Sequence, residues 1–548
     1  MTDKIPPDKN KTHDSQSALD AYGEALKQAC TRSTKLWSVI TTHRKTAITM
    51  IIGPIVGLII TNMIIGYINV TPDRLAGLLE DKAAIFELAL TNSENGIARF
   101  SQLRENFKQP ITIENIDLSN KNLSSINLDS VTILQSNFSN VDLSNSSLKN
   151  VRFSGDLTNV NLRNSSLYNA DLTDANLKDA TLTNANFEVA DLTNAILDTA
   201  DLTNATLFYT DLSSAFLPDA NLTNAMLGNA DLGRSFLTRA DLSNAFLAGA
   251  DLTDALLENS TLTNAYFLNT DLADAVLTNT DLTNASLTRA DLTNALLVDA
   301  NLSNSDLFSV NLLSADLSHA NLTNAILSAD FTNAYLFDAD LTNAFLGFAD
   351  LDDAFLNRAD MTNASLRNAD LTNAKLTDAD LTNTDFTGAI LTNAFLQNTT
   401  LTNANFLNAD LINAKLMNAK LTNASLFTAD LVNTFQFGAN LSNANFKQAD
   451  LSLSILYNAD LTNASLESAD LSGTVLDNAD LSDTYLLDAD LSHANLVDAN
   501  LTNANMNLTD LEEALFNCNS LKTINQSANL SRIVEDVNGN LIEVPSCQ

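Results

Sequence analysis

A large apolar residue returns every five positions from about Ile113 to Leu521, and that period rules out most ways a chain can fold. It stands at Leu118, Leu123, Leu128, Ile133, Phe138, Leu143, Leu148 and Phe153, then steps short once. It resumes at Leu157 and continues to Leu327, steps short again, and runs from Phe331 to Leu521. Two places before each apolar residue is a small one, usually Ala. A helix at 3.6 residues per turn would spread these residues over all its sides, and a flat strand would bury every second residue. One small and one large inward residue in every five require a corner in every five. Self-similarity at so short a fixed period marks a solenoid, and four sides close a square coil. About 82 sides then make about 20 coils, stacked at roughly 4.8 Å into a rod on the order of 100 Å long.

Segments such as Ala170-Asp171-Leu172-Thr173-Asp174 and Ala190-Asp191-Leu192-Thr193-Asn194 resemble the pentapeptide repeat family, described as A-(D/N)-L-x-x. The resemblance covers about three quarters of the chain. It implies an all-β solenoid, a right-handed quadrilateral β-helix, with the Leu and the small residue inside. Ser165, Thr270, Ser305 and Gly155 are variants at the small position. Three places depart from the pattern. Gln436 stands where a core Leu is expected, and a buried amide must find a hydrogen-bond partner. The two short steps, Phe153 to Leu157 and Leu327 to Phe331, each lack one residue and read as tightened corners.

A ten-residue alternation lies inside the five. Ala290-Asp291-Leu292-Thr293-Asn294 typifies one kind of repeat and Ala285-Ser286-Leu287 the other, so the two kinds occupy opposite pairs of faces. One pair carries Asp or Asn ladders flanked by Thr or Ser, which accounts for 66 acidic against 29 basic residues and a net charge of −37. Carboxylates about 4.8 Å apart repel by roughly 0.9 kcal/mol in bulk water, more near a protein surface. On one of the other faces, the residue before each core Leu is Ile196, Phe216, Phe236, Leu256, Val276, Leu296, Asp316, Tyr335, Phe355, Lys375, Phe395, Lys415, Phe435, Ile455 and Val475. A long outward apolar stripe is an expected contact surface. The opposite face, through Met226, Phe246, Tyr266, Ser286, Asp306, Ile326 and Phe345, is mixed.

The first hundred residues differ. Residues 1–45 read as a disordered or helical N-terminal segment on the cytoplasmic side. Residues 46–70 read as a transmembrane signal-anchor, since the run from Ala47 to Val70 is long enough to span a bilayer. Lys27, Arg32, Lys35, Arg44 and Lys45 precede it, which predicts a single-pass protein with its N-terminus in the cytoplasm and the repeat on the other side. Thr71-Pro72-Asp73 opens an expected helical linker and N-terminal cap over 71–112, the repeat is expected over 113–525, and 526–548 as a C-terminal hairpin and cap around Asn538-Gly539. Frequent Asn-x-Ser/Thr triplets, such as Asn221-Leu222-Thr223, favour a bacterial membrane, with the repeat in the periplasm or, in a cyanobacterium, the thylakoid lumen.

No catalytic constellation emerges. His13, His43, His319 and His493 are not at metal-ligand spacing, and Cys30, Cys518 and Cys547 form no CxxC. Cys518 and Cys547 could pair in an oxidising compartment. Phosphate-loop and GxSxG motifs are absent. The expectation is therefore no enzyme, no cofactor, no metal and no small-molecule substrate. The leading reading is a membrane-anchored scaffold that contacts itself or a protein partner. Two alternatives remain: a DNA-mimicking regulator of a protein such as gyrase, as the resemblance implies for some family members, and a surface binding cations or ice. Nucleic acid itself is not an expected partner.

Overall fold

The computed structural model describes residues 111–523, 534–535 and 541–542. Contacts divide the chain into a unit of Met1–Asp81 and a second of Lys82–Gln548, to which every described residue belongs. The expected anchor and nearly all of the expected linker lie outside the described residues. Among the described residues, no helix is long and apolar enough to cross a membrane.

Each five-residue repeat builds one side and one corner. Ala170 and Leu172 point in and are 1% exposed, while Asp171 between them points out. Asp171 sits in a parallel bridge to Asp191 one coil on. Two ladder bonds make that bridge: Leu172 N–H to the Asp191 carbonyl at 2.7 Å, and Asp191 N–H to the Ala170 carbonyl at 2.8 Å. The chain then turns. Ala175 N–H donates to the Leu172 carbonyl at 2.9 Å, and Asp174 has φ of 58°. An i→i+3 bond with positive φ at the third residue is the pattern of a type II turn. This explains why Asn fills the fifth position so often: apart from Gly, Asn and Asp enter the left-handed region at least cost. The corners also stack, with Asn184 Nδ2 donating to Asn164 Oδ1 at 3.0 Å and Asn403 to Asn383 at 3.0 Å.

Residues twenty apart therefore stand above one another, as Leu172, Leu192 and Leu212 do in the interior, each at most 1% exposed. The outward column that contains the apolar stripe is bridged without a break from Asn176 to Leu515. At the strand spacing this column spans roughly 80 Å, and the coils before Asn176 bring the rod to roughly 100 Å. Its interior is a continuous stack of Leu, Ala and occasional rings, such as Phe386 and Phe406, stacked 4.7 Å apart.

The two short steps have different structures. At Leu327–Phe331 the corner tightens: Ala329 N–H donates back only two residues, to the Leu327 carbonyl at 2.8 Å, and Ser328 Oγ secures it on the Gly347 carbonyl at 2.7 Å. The first step does not fit the expectation of a tightened corner. Three longer parallel strands run there, β1 (Ile111–Glu114), β2 (Val131–Asn137) and β3 (Arg152–Asp156), in the order β1-β2-β3. The register shifts between Leu134 and Ser136, opposite Ser154 and Gly155. Gly155, at the small position of the repeat, lies within β3 and is half-buried, with φ of 151°. A Cβ there would lie 2.2 Å from the Ser136 carbonyl oxygen, so only glycine fits.

Both ends of the repeat also move from their expected places. Strand pairing already begins at Ile111, inside the expected linker. The ladder ends at Leu515 and Phe516, and Leu521 does not form another side. It lies in the short helix α1 (Cys518–Thr523), whose start is held by Ser520 N–H on Asn517 Oδ1 at 3.1 Å. Thr523 Oγ1 accepts the Leu501 N–H at 2.9 Å, supplying an acceptor the next coil would otherwise provide. Beyond it, β4 (Val534–Glu535) and β5 (Leu541–Ile542) pair antiparallel. The intervening Asn538-Gly539 lies outside the described residues, as does any disulfide of Cys547.

Gln436 is wholly buried. Its Nε2 donates to Thr434 Oγ1 at 2.7 Å, but its Oε1 is buried without a partner. The amide is thus half satisfied.

Candidate interaction face

Four outward columns give the rod four unlike faces. Two are acidic. On the face through Asp191, Asp211, Asp231, Asp251, Asp271 and Asp291, each carboxylate stands directly over the next. These groups also hold the corners. Asp291 Oδ1 accepts the Thr293 N–H at 3.0 Å and its hydroxyl at 2.6 Å, and the same pair of bonds recurs at Asp251 and Thr253. Where Thr stands two places after the Asp, its hydroxyl and N–H together offset the repulsion within the ladder, while Gly233 and Ala273 give Asp231 and Asp271 a backbone N–H alone.

Two carboxylates of this column, Asp350 and Asp430, hold their protons more tightly than usual. Burial, followed by the carboxylates of Asp330, Asp370 and Asp352, pushes Asp350 above the usual carboxylate range. Burial, with Asp450 and Asp410, does the same to Asp430. In both cases the corner residue is not Thr: Asp352 and Val432 offer only a backbone N–H, at 3.1 Å each. At Asp201 burial also raises the affinity, but the Thr203 hydroxyl and N–H and the Thr183 hydroxyl outweigh it, and the net shift is downward.

The third face carries the apolar stripe. Ile196, Phe216, Phe236, Leu256, Val276 and Leu296 follow one another rung by rung. Asp316 interrupts, and then come Tyr335, Phe355, Lys375, Phe395, Lys415, Phe435, Ile455 and Val475. Ile196, Phe216, Phe236, Leu296 and Tyr335 are about 40% exposed or slightly more. Leu256, Val276, Phe355, Phe395, Phe435, Ile455 and Val475 are half-buried. The rings lean on their neighbours along the rod: Phe216 on Phe236 at 5.8 Å, and Tyr335 stacked on Phe355 at 4.9 Å, with Phe337 beside both. The two lysines lie over rings, Lys375 Nζ 4.3 Å from the centre of Phe355 and Lys415 Nζ 3.9 Å from that of Phe395. The stripe is thus bare in its N-terminal half and partly covered by cations in its C-terminal half. The corner beside it carries charge pairs between coils. Arg239 forks onto Asp219, and Arg358 onto Asp338. Each arginine holds its Asp below the usual carboxylate range.

The fourth face holds apolar islands that sequence reading took only as mixed. Phe246 stacks on Tyr266 at 5.4 Å and meets Phe208 edge-on at 6.2 Å. Gly228 makes this possible, since a Cβ there would lie 2.7 Å from the Phe208 ring and 3.0 Å from that of Phe246. At the corners of this face, Val189, Tyr209 and Phe348 take φ of 62°, 57° and 63°, unusual for bulky side chains, and Phe348 is 74% exposed. Their apolar character at Asn positions was the available signal.

A sequence model of pentapeptide repeats matches in overlapping segments across 122–324, 329–433 and 437–512, more than half of the chain. The chain belongs to the pentapeptide repeat family. With that membership comes the right-handed β-helix. The two internal gaps in the match, 325–328 and 434–436, fall at the tightened corner of Ser328 and at Gln436. HetL, a pentapeptide repeat protein involved in heterocyst differentiation regulation in the cyanobacterium Nostoc sp. strain PCC 7120, is 26% identical over 53% of this chain and 90% of its own, with a TM-score of 0.13. A pentapeptide repeat protein of the Arabidopsis thaliana thylakoid lumen is 24% identical over 29% of this chain and 83% of its own, with a TM-score of 0.12. QnrB1, a plasmid-mediated fluoroquinolone resistance protein, is 15% identical over 39% of this chain and 93% of its own, with a TM-score of 0.19. With scores this low the assignment rests on the repeat itself. No curated protein sequence matches. Among the described residues, no group of three or more His, Cys, Asp or Glu could hold a metal ion.

Proposed function

We propose that this pentapeptide repeat protein is a non-catalytic, membrane-anchored rod whose apolar face is a protein contact surface. The observation that carries the reading is the bridged run from Ile196 to Leu296, six apolar side chains in adjacent coils with Ile196, Phe216, Phe236 and Leu296 at least 40% exposed. Extended apolar patches on soluble surfaces mark interaction sites, because leaving them in water costs roughly 25 cal/mol per Å². The acidic faces support the reading from the other side. Bearing most of the charge, they keep the rod soluble and direct contact to the two faces without Asp ladders.

The anchor and the orientation are part of the proposal and rest on the apolar run from Ala47 to Val70 and the basic residues before it. A reporter joined after Gln548 that is active only outside the cytoplasm supports them. Activity only inside the cytoplasm removes them and returns the DNA-mimic reading to contention. The contact face is tested by capture from solubilised membranes with the full chain. Phe216→Ser, Phe236→Ser and Phe355→Ser together leave the interior unchanged and should abolish capture of whatever the wild type retains. Identical capture by both proteins overturns the assignment of this face.

A further inference from the structure

The few charged residues of the apolar column indicate what covers it. Between Ile196 and Val475 that column holds only Asp316, Lys375 and Lys415. We propose that the occupant is a second copy of this chain, lying antiparallel, with the two-fold axis between the rungs of Tyr335 and Phe355. The inference rests on the reading of this face as a contact surface and adds the partner and its register.

An antiparallel pair with its axis there sets each rung against a reversed one. Tyr335 then faces Phe355, and one rung further out Asp316 faces Lys375, on both sides of the axis. Asp316 spends one carboxylate oxygen on the Ser318 N–H and hydroxyl, at 3.0 and 2.6 Å, and the other is available to the lysine. Apolar residues continue outward, Leu256 against Phe435 and Phe236 against Ile455. Lys415 meets Val276 and keeps its own Phe395 ring. In this geometry the corner column beside the stripe meets itself in reverse. Asp338 faces Arg358, which already pair within one rod, and His319 faces Asp378. Four groups then close a ring of alternating charge at the axis.

A parallel pair makes every rung face its own copy, setting Asp316 against Asp316 and Lys375 against Lys375, and like charges across an interface are disfavoured. The acidic faces cannot pair with themselves for the same reason. The area is sufficient. About fifteen coils at roughly 4.8 Å, with a face roughly 10 Å wide, bury about 700 Å² per rod, near the ~800 Å² per partner of a stable interface.

The test uses the full chain in mild detergent, with Cys30, Cys518 and Cys547 replaced by serine. Chains carrying Phe236→Cys are mixed with chains carrying Ile455→Cys and oxidised. The pairing predicts a covalent dimer from the mixture and none from Phe236→Cys alone. Lys375→Glu should weaken self-association on the order of tenfold or more, since two copies of the contact become repulsive. Adding Asp316→Lys should restore it. Self-linking of Phe236→Cys alone, or no rescue by the charge exchange, overturns the antiparallel register while leaving the apolar face a contact surface. A wild-type chain that sediments as a monomer at high concentration overturns self-pairing, and the capture experiment then decides the face separately.

Discussion

Replacing Asp350 by Asn should stabilise the rod at neutral pH. Asp350 stands in its ladder between Asp330 and Asp370, and the Asp352 N–H is the donor on its carboxylate. The usual Thr hydroxyl is missing, because Asp352 occupies the Thr position and adds a third like charge. Each ladder neighbour at roughly 4.8 Å opposes it by about 0.9 kcal/mol in bulk water. Discounted for solvent screening of a partly exposed group, the sum is about 1 kcal/mol. Asn keeps the corner bond, as Asn176 Oδ1 does for the Lys178 N–H at 3.2 Å. It also turns a repulsion into a bond, as Asn301 Nδ2 does on Asp281 at 3.2 Å. The pH dependence has a definite sign. A carboxyl whose folded pKa is raised contributes stability below its unfolded pKa and loses it as pH rises through the folded value. The advantage of Asp350→Asn should therefore be full at pH 7 and vanish below the ordinary Asp range, about 3.9. Native-state hydrogen exchange at the surrounding ladder amides reads this locally, which suits a solenoid. No gain at pH 7, or an equal gain at pH 3, would refute the reasoning.

Other expectations follow from the same geometry. Leu282→Ala, in the wholly buried stack, should cost about 2–5 kcal/mol. Asn284→Ala, one corner away at φ of 57°, should cost about 1–2 kcal/mol and Asn284→Gly much less, by denaturant titration. Gln436→Leu removes a buried unpaired oxygen and should raise stability by about 1–3 kcal/mol, seen as a higher denaturation midpoint. Gly155→Ala should disrupt the first coils, visible as lost exchange protection from β1 to β3 with later coils intact, because its Cβ would collide with Ser136 backbone.

The period of five was sufficient to derive four sides, their vertical register and the identity of each outward column, because inward and outward positions alternate across each side. The Asp-Leu-Thr order likewise placed two acidic faces opposite each other. What the period did not carry was anything depending on side-chain direction within a face. Lys375 and Lys415 appeared as gaps in the apolar stripe, yet their ammonium groups lie over Phe355 and Phe395 and cover it. Nothing in the repeat singles out Gly228, whose role in letting Phe208 and Phe246 meet depends on neighbouring coils at once. The two short steps, Ser154-Gly155-Asp156 and Ser328-Ala329-Asp330, differ only in Gly against Ala, and it takes the close approach of strand β2 to that glycine to make the first extended where the second is a tight turn. The carboxylates were read as repelling solvent-facing ladders, whereas their main local task is to accept corner N–H and hydroxyl groups, as Asp291 does from Thr293.

The central claim is that the face through Phe236 is covered in its native setting and the acidic faces are not. Single cysteines at Phe236 and at Asp241, one side apart on the same coil, can be labelled with a small thiol reagent in native membranes and again after solubilisation and dilution. Phe236→Cys should react slowly in membranes and rapidly once diluted, while Asp241→Cys reacts rapidly in both. Equal labelling of the two positions in native membranes would contradict a covered apolar face.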